Sequence, residues 1–292
     1  MNEELLTVAA VARRIGVAPA TLRTWDRRYG LGPSTHEAGE HRRYSPCDLA
    51  RLTLMRRLIT TGLSPSDAAD RAKQENGVVE LETLLSDFEV REEIVASLNN
   101  AAKILDRAFV ETLLRKDFLQ HGVIATWSEV IVPLLVLVGR NWETTGTGVE
   151  VEHMLSEIII RLLRESVAEI ENPVNAQPVL LAAVGEEQHS LALHALAAAL
   201  AEKNIETFLL GARTPIEAIS QVVKKSVPPA LFLWAQLSEN GDTKFFQELP
   251  TVRPAPRVIL GGSGWDQQQC EGVVIAADLA HACAEIERAV GF

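Results

Sequence analysis

Three groups of residues in this chain are of types that do chemistry. The first lies in "NWETTGTGVEVEHMLSE", where Trp142 is followed, after nine intervening residues, by Glu152 and His153. An indole, a carboxylate and an imidazole around one Gly/Thr-rich turn either pack and cap a helix junction or face something flat and large. The second is Glu187 and His189 in "GEEQHSLALHAL". An acid two residues before an imidazole can orient the ring and raise its basicity, although a lone His at such a place more often caps a helix. The third is a basic set, Arg23, Arg27, Arg28, Arg42 and Arg43, interleaved with Trp25, Tyr29 and Tyr44 and flanked by Thr21 and His41. Such a set grips phosphate and reads base edges when one helix enters a groove. The alternative is a solvated basic face around a small core containing Trp25.

Composition narrows the choice. At 292 residues with 47% hydrophobic content, the chain suits two or three domains with substantial cores. Its net charge of −11 argues against nucleic acid until it is divided along the chain. Residues 1–73 hold 12 Lys/Arg against 8 Asp/Glu, net +4; the remainder holds 16 against 31, net −15. Positive charge is thus concentrated where the basic set lies. Cys47, Cys270 and Cys283 have no paired or metal-type spacing and read as free thiols of a reducing cytoplasm. No apolar run approaches the roughly 20 residues that span a bilayer, and the start has no basic leader, so no membrane partner is expected.

The elements that must position these groups fall into three segments. Residues 1–75 read as short helices with tight turns: "TVAAVARRIGV" ending at Gly16, then "APATLRTWDRRYG" with Pro19 in its first turn and Gly30 after it. A loop and the amphipathic "SPCDLARLTLMRRLI" follow, with one more helix from "SPSDAADRA". Residues 76–175 hold four apolar-periodic segments and suggest a four-helix bundle. "NPVNAQP" reads as a linker. Residues 176–292 alternate strands ("VLLAAV", "ETFLLGA", "ALFLWAQ", "RVILGG", "GVVIAAD") with helices, which predicts a Rossmann-like, flavodoxin-like parallel sheet covered on both faces. Ligands of such sheets bind beyond the carboxyl ends of the strands, where Glu187 and His189 fall.

"VARRIGVAPATLRTWDRRYGLGPSTHEAGEHRRYSPCDLARL" resembles the winged helix-turn-helix domain of MerR-family transcriptional regulators across its length. The resemblance implies binding of double-stranded promoter DNA, with Thr21 and Arg23 approaching bases and His41, Arg42, Arg43 and Tyr44 forming a wing. Glu40 stands where that family has a second wing glycine. The long coiled coil that usually follows is not sustained in "KQENGVVELETLL", so a homo-oligomer, dimer or tetramer, is expected through residues 76–292.

The rest resembles the cobalamin-binding sensor of CarH- and LitR-type regulators, a MerR subfamily. Trp142, Glu152 and His153 match its Trp, nine residues, Glu-His pattern, which implies an indole over the upper corrin face. Glu187, His189 and Ala192 match acid-x-His-x-x-Gly, which implies His189 as the lower cobalt ligand, with alanine in place of glycine. Ala235 and Leu237 are matched to Ser-x-Leu, and Gly261 and Gly262 to a later Gly-Gly that lets a nucleotide tail approach backbone. The implied cofactor is cobalamin, adenosylcobalamin being one candidate form. Glu143 replaces the light-state histidine of the family, and a carboxylate is a poor substitute for imidazole on cobalt.

The expected function is a non-enzymatic, cytoplasmic DNA-binding regulator whose sensor controls oligomerisation and operator binding. Two alternatives were weighed against it. A regulator that has lost cobalamin would respond to another ligand or a protein. A cobalamin enzyme or methyl carrier would share the bundle-plus-Rossmann pair, but the DNA-binding segment counts against it.

Overall fold

In a computed structural model, residues 5–34, 42–60, 62–74, 91–168 and 170–291 are described. The wing tip, with His36, Glu40 and His41, and the stretch "ENGVVELETLL" lie outside them. The chain forms two compact units, Met1–Leu113 and Leu114–Phe292.

The first unit opens with β1 (Leu6–Thr7), α1 (Val8–Ile15) and α2 (Pro19–Tyr29). Thr7 caps α1 by accepting from the Ala10 amide, and Gly16, at φ 74°, turns the chain towards α2. β2 (Arg43–Tyr44) pairs antiparallel with β1, Leu6 opposite Tyr44. α3 (Pro46–Thr60) and α4 (Pro65–Gln74) pack together beneath them. The shared core holds Val11, Ile15, Leu22, Trp25, Tyr44, Leu52, Met55 and Leu58. α5 (Arg91–Lys103) packs on α3.

α6 (Arg107–Thr126) carries a break at Gly122, where φ 76° and ψ 174° leave the helical region. Within the second unit, the amide of Val123 that begins the next stretch donates to the Glu202 carboxylate at 2.9 Å, a cap from a distant helix. A π-helical turn, Trp127–Ile131, then leads into α7 (Val132–Thr145). Pro133 accounts for the wide turn, because it has no N–H to return to the Glu129 carbonyl. Gly146 ends α7, and α8 (Val149–Ala168) begins after Gly148.

Among the described residues, four helical segments follow the basic N-terminal segment and precede the sheet in sequence, where the apolar periodicity puts them. By length and composition alone, Arg107–Thr145 contains a window of mean hydropathy 1.9, which the sequence reading did not anticipate. The glycine break divides that stretch, and Val123, Val130, Ile131, Leu134 and Val138 within it are core residues.

The sheet contains β3 (Val179–Val184), β4 (Thr207–Thr214), β5 (Ala230–Trp234), β6 (Arg257–Gly261) and β7 (Val274–Ile275), all parallel, in the order β4-β3-β5-β6-β7. That is the flavodoxin-like order, with its switch point between β3 and β5. α9 (Leu191–Ala201) and α12 (Leu279–Val290) cover one face. α10 (Ile216–Ser226) and the short α11 (Lys244–Gln247) cover the other. Leu193 to Leu200 are buried all round α9, because the sheet lies on one side of it and α8 on the other.

The segment read as a linker, "NPVNAQP", is pinned to the sheet. Asn175 donates to the Gln177 and Glu206 carbonyls and accepts from the Glu206 amide. Asn204 reaches back to the carbonyls of Glu171 and Asn172. Cys47 is exposed, and Cys270 and Cys283 are buried.

Candidate functional site

The basic set of the first unit divides by burial. Arg23, Arg27, Arg28 and Arg43 are exposed, and Thr21 and Tyr29 are half-buried. Trp25, at 7% exposure, and Tyr44, at 0%, are core residues, so neither faces a duplex and both are withdrawn as DNA contacts. Arg42 donates to Asp26 at 3.0 Å, tying the base of the wing to α2. Arg23, Thr24, Asp26, Arg27 and Arg42 line one open concavity beside α2.

A residue with no obvious signal in the sequence holds the wing's two ends. The buried carboxylate of Asp48 accepts from the amide and hydroxyl of Ser34 and from the amide and hydroxyl of Ser45, and pairs with Arg51 at 2.6 Å. Burial pushes its pKa up, but the bonds from Ser45 and Ser34 outweigh burial and hold it below the usual carboxylate range.

In the second unit, Glu187 is the centre of a loop cluster at the carboxyl edge of the sheet. Its side chain is 0% exposed. One oxygen accepts from the His189 amide at 2.9 Å and from His189 Nδ1 at 2.5 Å. The other accepts from the amides of Gln236 (2.8 Å) and Leu237 (3.0 Å) and from Asn240 Nδ2 (3.2 Å). Burial raises the pKa of this carboxyl, but its donors prevail and bring it to about 2, so it is an anion. With Nδ1 turned to the carboxylate, Nε2 of His189 is the ring nitrogen directed away from it, and the side chain is 57% exposed.

The neighbouring positions are dealt with by the strand pleat. Leu231, Leu233 and Ala235 belong to the core cluster on the α10 face. Ala235 is fully buried there, so it is packing and is withdrawn as a ligand contact. Leu237 is 42% exposed and lends its amide to Glu187. Gly262, at φ 93°, passes so close to Ala235 that a Cβ would lie 2.2 Å from the Ala235 carbonyl oxygen. Gly261 is filled from within, since a Cβ would lie 2.2 Å from the Phe232 ring. Ala192 is half-buried in the first turn of α9.

Trp142 sits in the last turn of α7, 53% exposed. Glu143, Glu152 and His153 are exposed beside it, across the α7–α8 turn. His153 Nδ1 donates to the Val149 carbonyl at 2.9 Å. The structure therefore brings Trp142, Glu152 and His153 to one helix junction, and Glu187, His189 and Leu237 to one loop cluster. Among the described residues no hydrogen bond joins the two groups.

Among the described residues no three His, Cys, Asp or Glu side chains gather to hold an ion. A single outward imidazole, braced by a buried anion, suits a metal that brings its other ligands with it in a macrocycle. The donor set therefore fits a corrinoid on its lower side.

Residues 6–75 match the family described as MerR HTH family regulatory protein. That match spans the N-terminal helix-turn-helix domain. Over 94% of its length the chain is 28% identical to the HTH-type transcriptional repressor CarH of Myxococcus xanthus, of which it covers 95%. It is 29% identical to the repressor CarA of the same organism, over 89% of this chain and 87% of CarA. The chain also has a structural likeness to the monomethylamine corrinoid protein of Methanosarcina barkeri. That likeness has a TM-score of 0.53 and 16% identity, covers 68% of this chain and 99% of that one, and shows the fold.

Proposed function

We propose that this chain is a transcriptional regulator rather than a catalyst. Its MerR domain, residues 1–75, binds promoter DNA in the cytoplasm. A helical segment, 76–175, and a Rossmann-like segment, 176–292, bind a corrinoid and govern self-association. The observation that carries the reading is the imidazole of His189, exposed at the carboxyl edge of a parallel sheet with Nδ1 on a buried carboxylate. CarH and CarA, alike over nearly the whole chain, are repressors, which supports the same use here.

In this reading, the Glu187 anion fixes the His189 ring and makes Nε2 a stronger donor. Trp142, at the end of α7, with Glu152 and His153 near the start of α8, would help to hold a bound corrinoid and exclude water from it. The corrinoid, when bound, supplies a metal–carbon bond that can be broken. Glu143 offers only carboxylate oxygen next to Trp142, so capture of the metal by an imidazole at that position is not open to this chain; His153, whose Nδ1 is on the Val149 carbonyl, is the nearest other imidazole in sequence. Two linked DNA-binding domains gain affinity through effective concentration, so a ligand with different affinity for two assemblies changes operator occupancy.

Incubation of the protein with excess methylcobalamin and, separately, with excess methylcobinamide, followed by gel filtration, tests the reading. A visible band shifted by imidazole ligation should co-elute with wild type and be absent from His189→Ala. A wild type that elutes with no corrinoid would overturn it. Sedimentation with and without ligand tests the coupling to assembly.

A further inference from the structure

The alternation along β5 leaves one large side chain unaccounted for. Leu231, Leu233 and Ala235 face α10, so Phe232 and Trp234 point to the opposite face, where α9 and α12 lie. Trp234 is the last residue of β5. Its strand neighbours are Ala183 in β3 and Gly261 in β6, one with a methyl group and one with no side chain. The Phe232 ring already occupies the space that Gly261 leaves. Two and three residues after Trp234, the amides of Gln236 and Leu237 hold Glu187, which in turn holds His189. The indole therefore lies at the strand end beneath the loop that presents His189. Its Nε1 is buried with no hydrogen-bond partner, an arrangement that is costly unless something else supplies an acceptor.

This inference rests on the corrinoid reading and specifies which corrinoid. A complete cobalamin carries its nucleotide on the lower face of the ring, the same face that an imidazole must approach. When His189 takes the metal, the displaced nucleotide needs room beside it, at the carboxyl edge of β3, β5 and β6 and under the first turn of α9. On that face the Phe232 ring takes the space over Gly261, Trp234 ends β5 with its Nε1 buried, and Ala192 adds a methyl group to the first turn of α9. A corrinoid without the nucleotide makes no such demand.

We propose that Trp234 makes the site selective for tail-less corrinoids of the cobinamide class over complete cobalamin. The test is a pair of titrations of the full chain with methylcobinamide and methylcobalamin, followed by visible spectrum and equilibrium dialysis. Wild type should bind methylcobinamide at least about tenfold more tightly, a difference of roughly 1.4 kcal/mol. Trp234→Ser should lose that preference or reverse it. The wild-type comparison decides the matter even if the variant folds poorly. Methylcobalamin binding as tightly as methylcobinamide, or more tightly, overturns the selectivity and leaves the corrinoid reading standing. Failure of both to bind overturns the two together.

Discussion

Glu187 Oε1 lies 2.5 Å from His189 Nδ1, while the other oxygen of the same carboxylate gathers two amides from the loop after β5. One buried anion therefore sets both the direction of the imidazole and the path of the neighbouring loop. Glu187→Ala strands all of those donors and should cost about 3 kcal/mol of stability. It should also weaken metal-linked ligand uptake by roughly 10- to 100-fold, as losses behind a ligating histidine do. Thermal unfolding and dialysis measure the two effects separately, and a variant with unchanged melting would contradict the burial argument.

DNA affinity should fall steeply with salt, because arginine contacts release counterions. Arg43 is exposed on the wing strand, so Arg43→Ala should weaken all duplexes alike and flatten the salt slope by about one unit. Arg23 is exposed near the start of α2, and Arg23→Ala should instead cost about 1–3 kcal/mol on the cognate duplex alone. Filter binding over a salt series separates the two. Equal losses on cognate and random duplexes for Arg23→Ala would remove it as a base reader.

Asp48 closes the wing from below. Asp48→Ala leaves the Ser34 and Ser45 donors and the Arg51 guanidinium without their acceptor. The N-terminal unit should lose about 3 kcal/mol and unfold in an earlier transition. Operator binding should weaken although Asp48 touches no DNA in this reading. Calorimetry of the full chain shows the early transition if the carboxylate is the anchor.

His194 supplies a pH dependence. It is buried on α9, and burial first, then the Arg164 charge, lowers its pKa to about 4 from 6.5. The folded chain therefore keeps it neutral while the unfolded chain takes a proton. Stability falls as pH drops from about 6.5 towards 4, by roughly 3 kcal/mol across that window. In His194→Leu that part of the slope should vanish. Urea midpoints at several pH values check this, and an unaltered slope would assign it elsewhere.

Much of the architecture was legible because periodicity carries it. The strands "VLLAAV" and "ALFLW" and the helix "LALHALAAALA" stand where apolar runs and turn residues put them. What was not legible depends on partners distant in sequence. Nothing near Asp48 says that Ser34 will meet it, and nothing near Asn175 says that Glu206 will hold a supposed linker. Aromatic residues among arginines look alike in sequence whether they contact phosphate or fill a core, and burial is what puts Trp25 and Tyr44 in the core. The phase of β5 decided between two adjacent residues: Ala235 turns into the core, and Trp234 turns towards the side of the sheet below His189.

α9 has a property that follows from its two ends. It starts just after His189, and Glu202, just past its last turn, holds the first amide of the stretch that runs on to Trp142. The helix is about 16 Å long and packed on all sides, so it behaves as a stiff strut. If His189 takes a ligand as proposed, a displacement of the imidazole at one end would be passed along this helix to Val123, at the start of the stretch that leads to the indole.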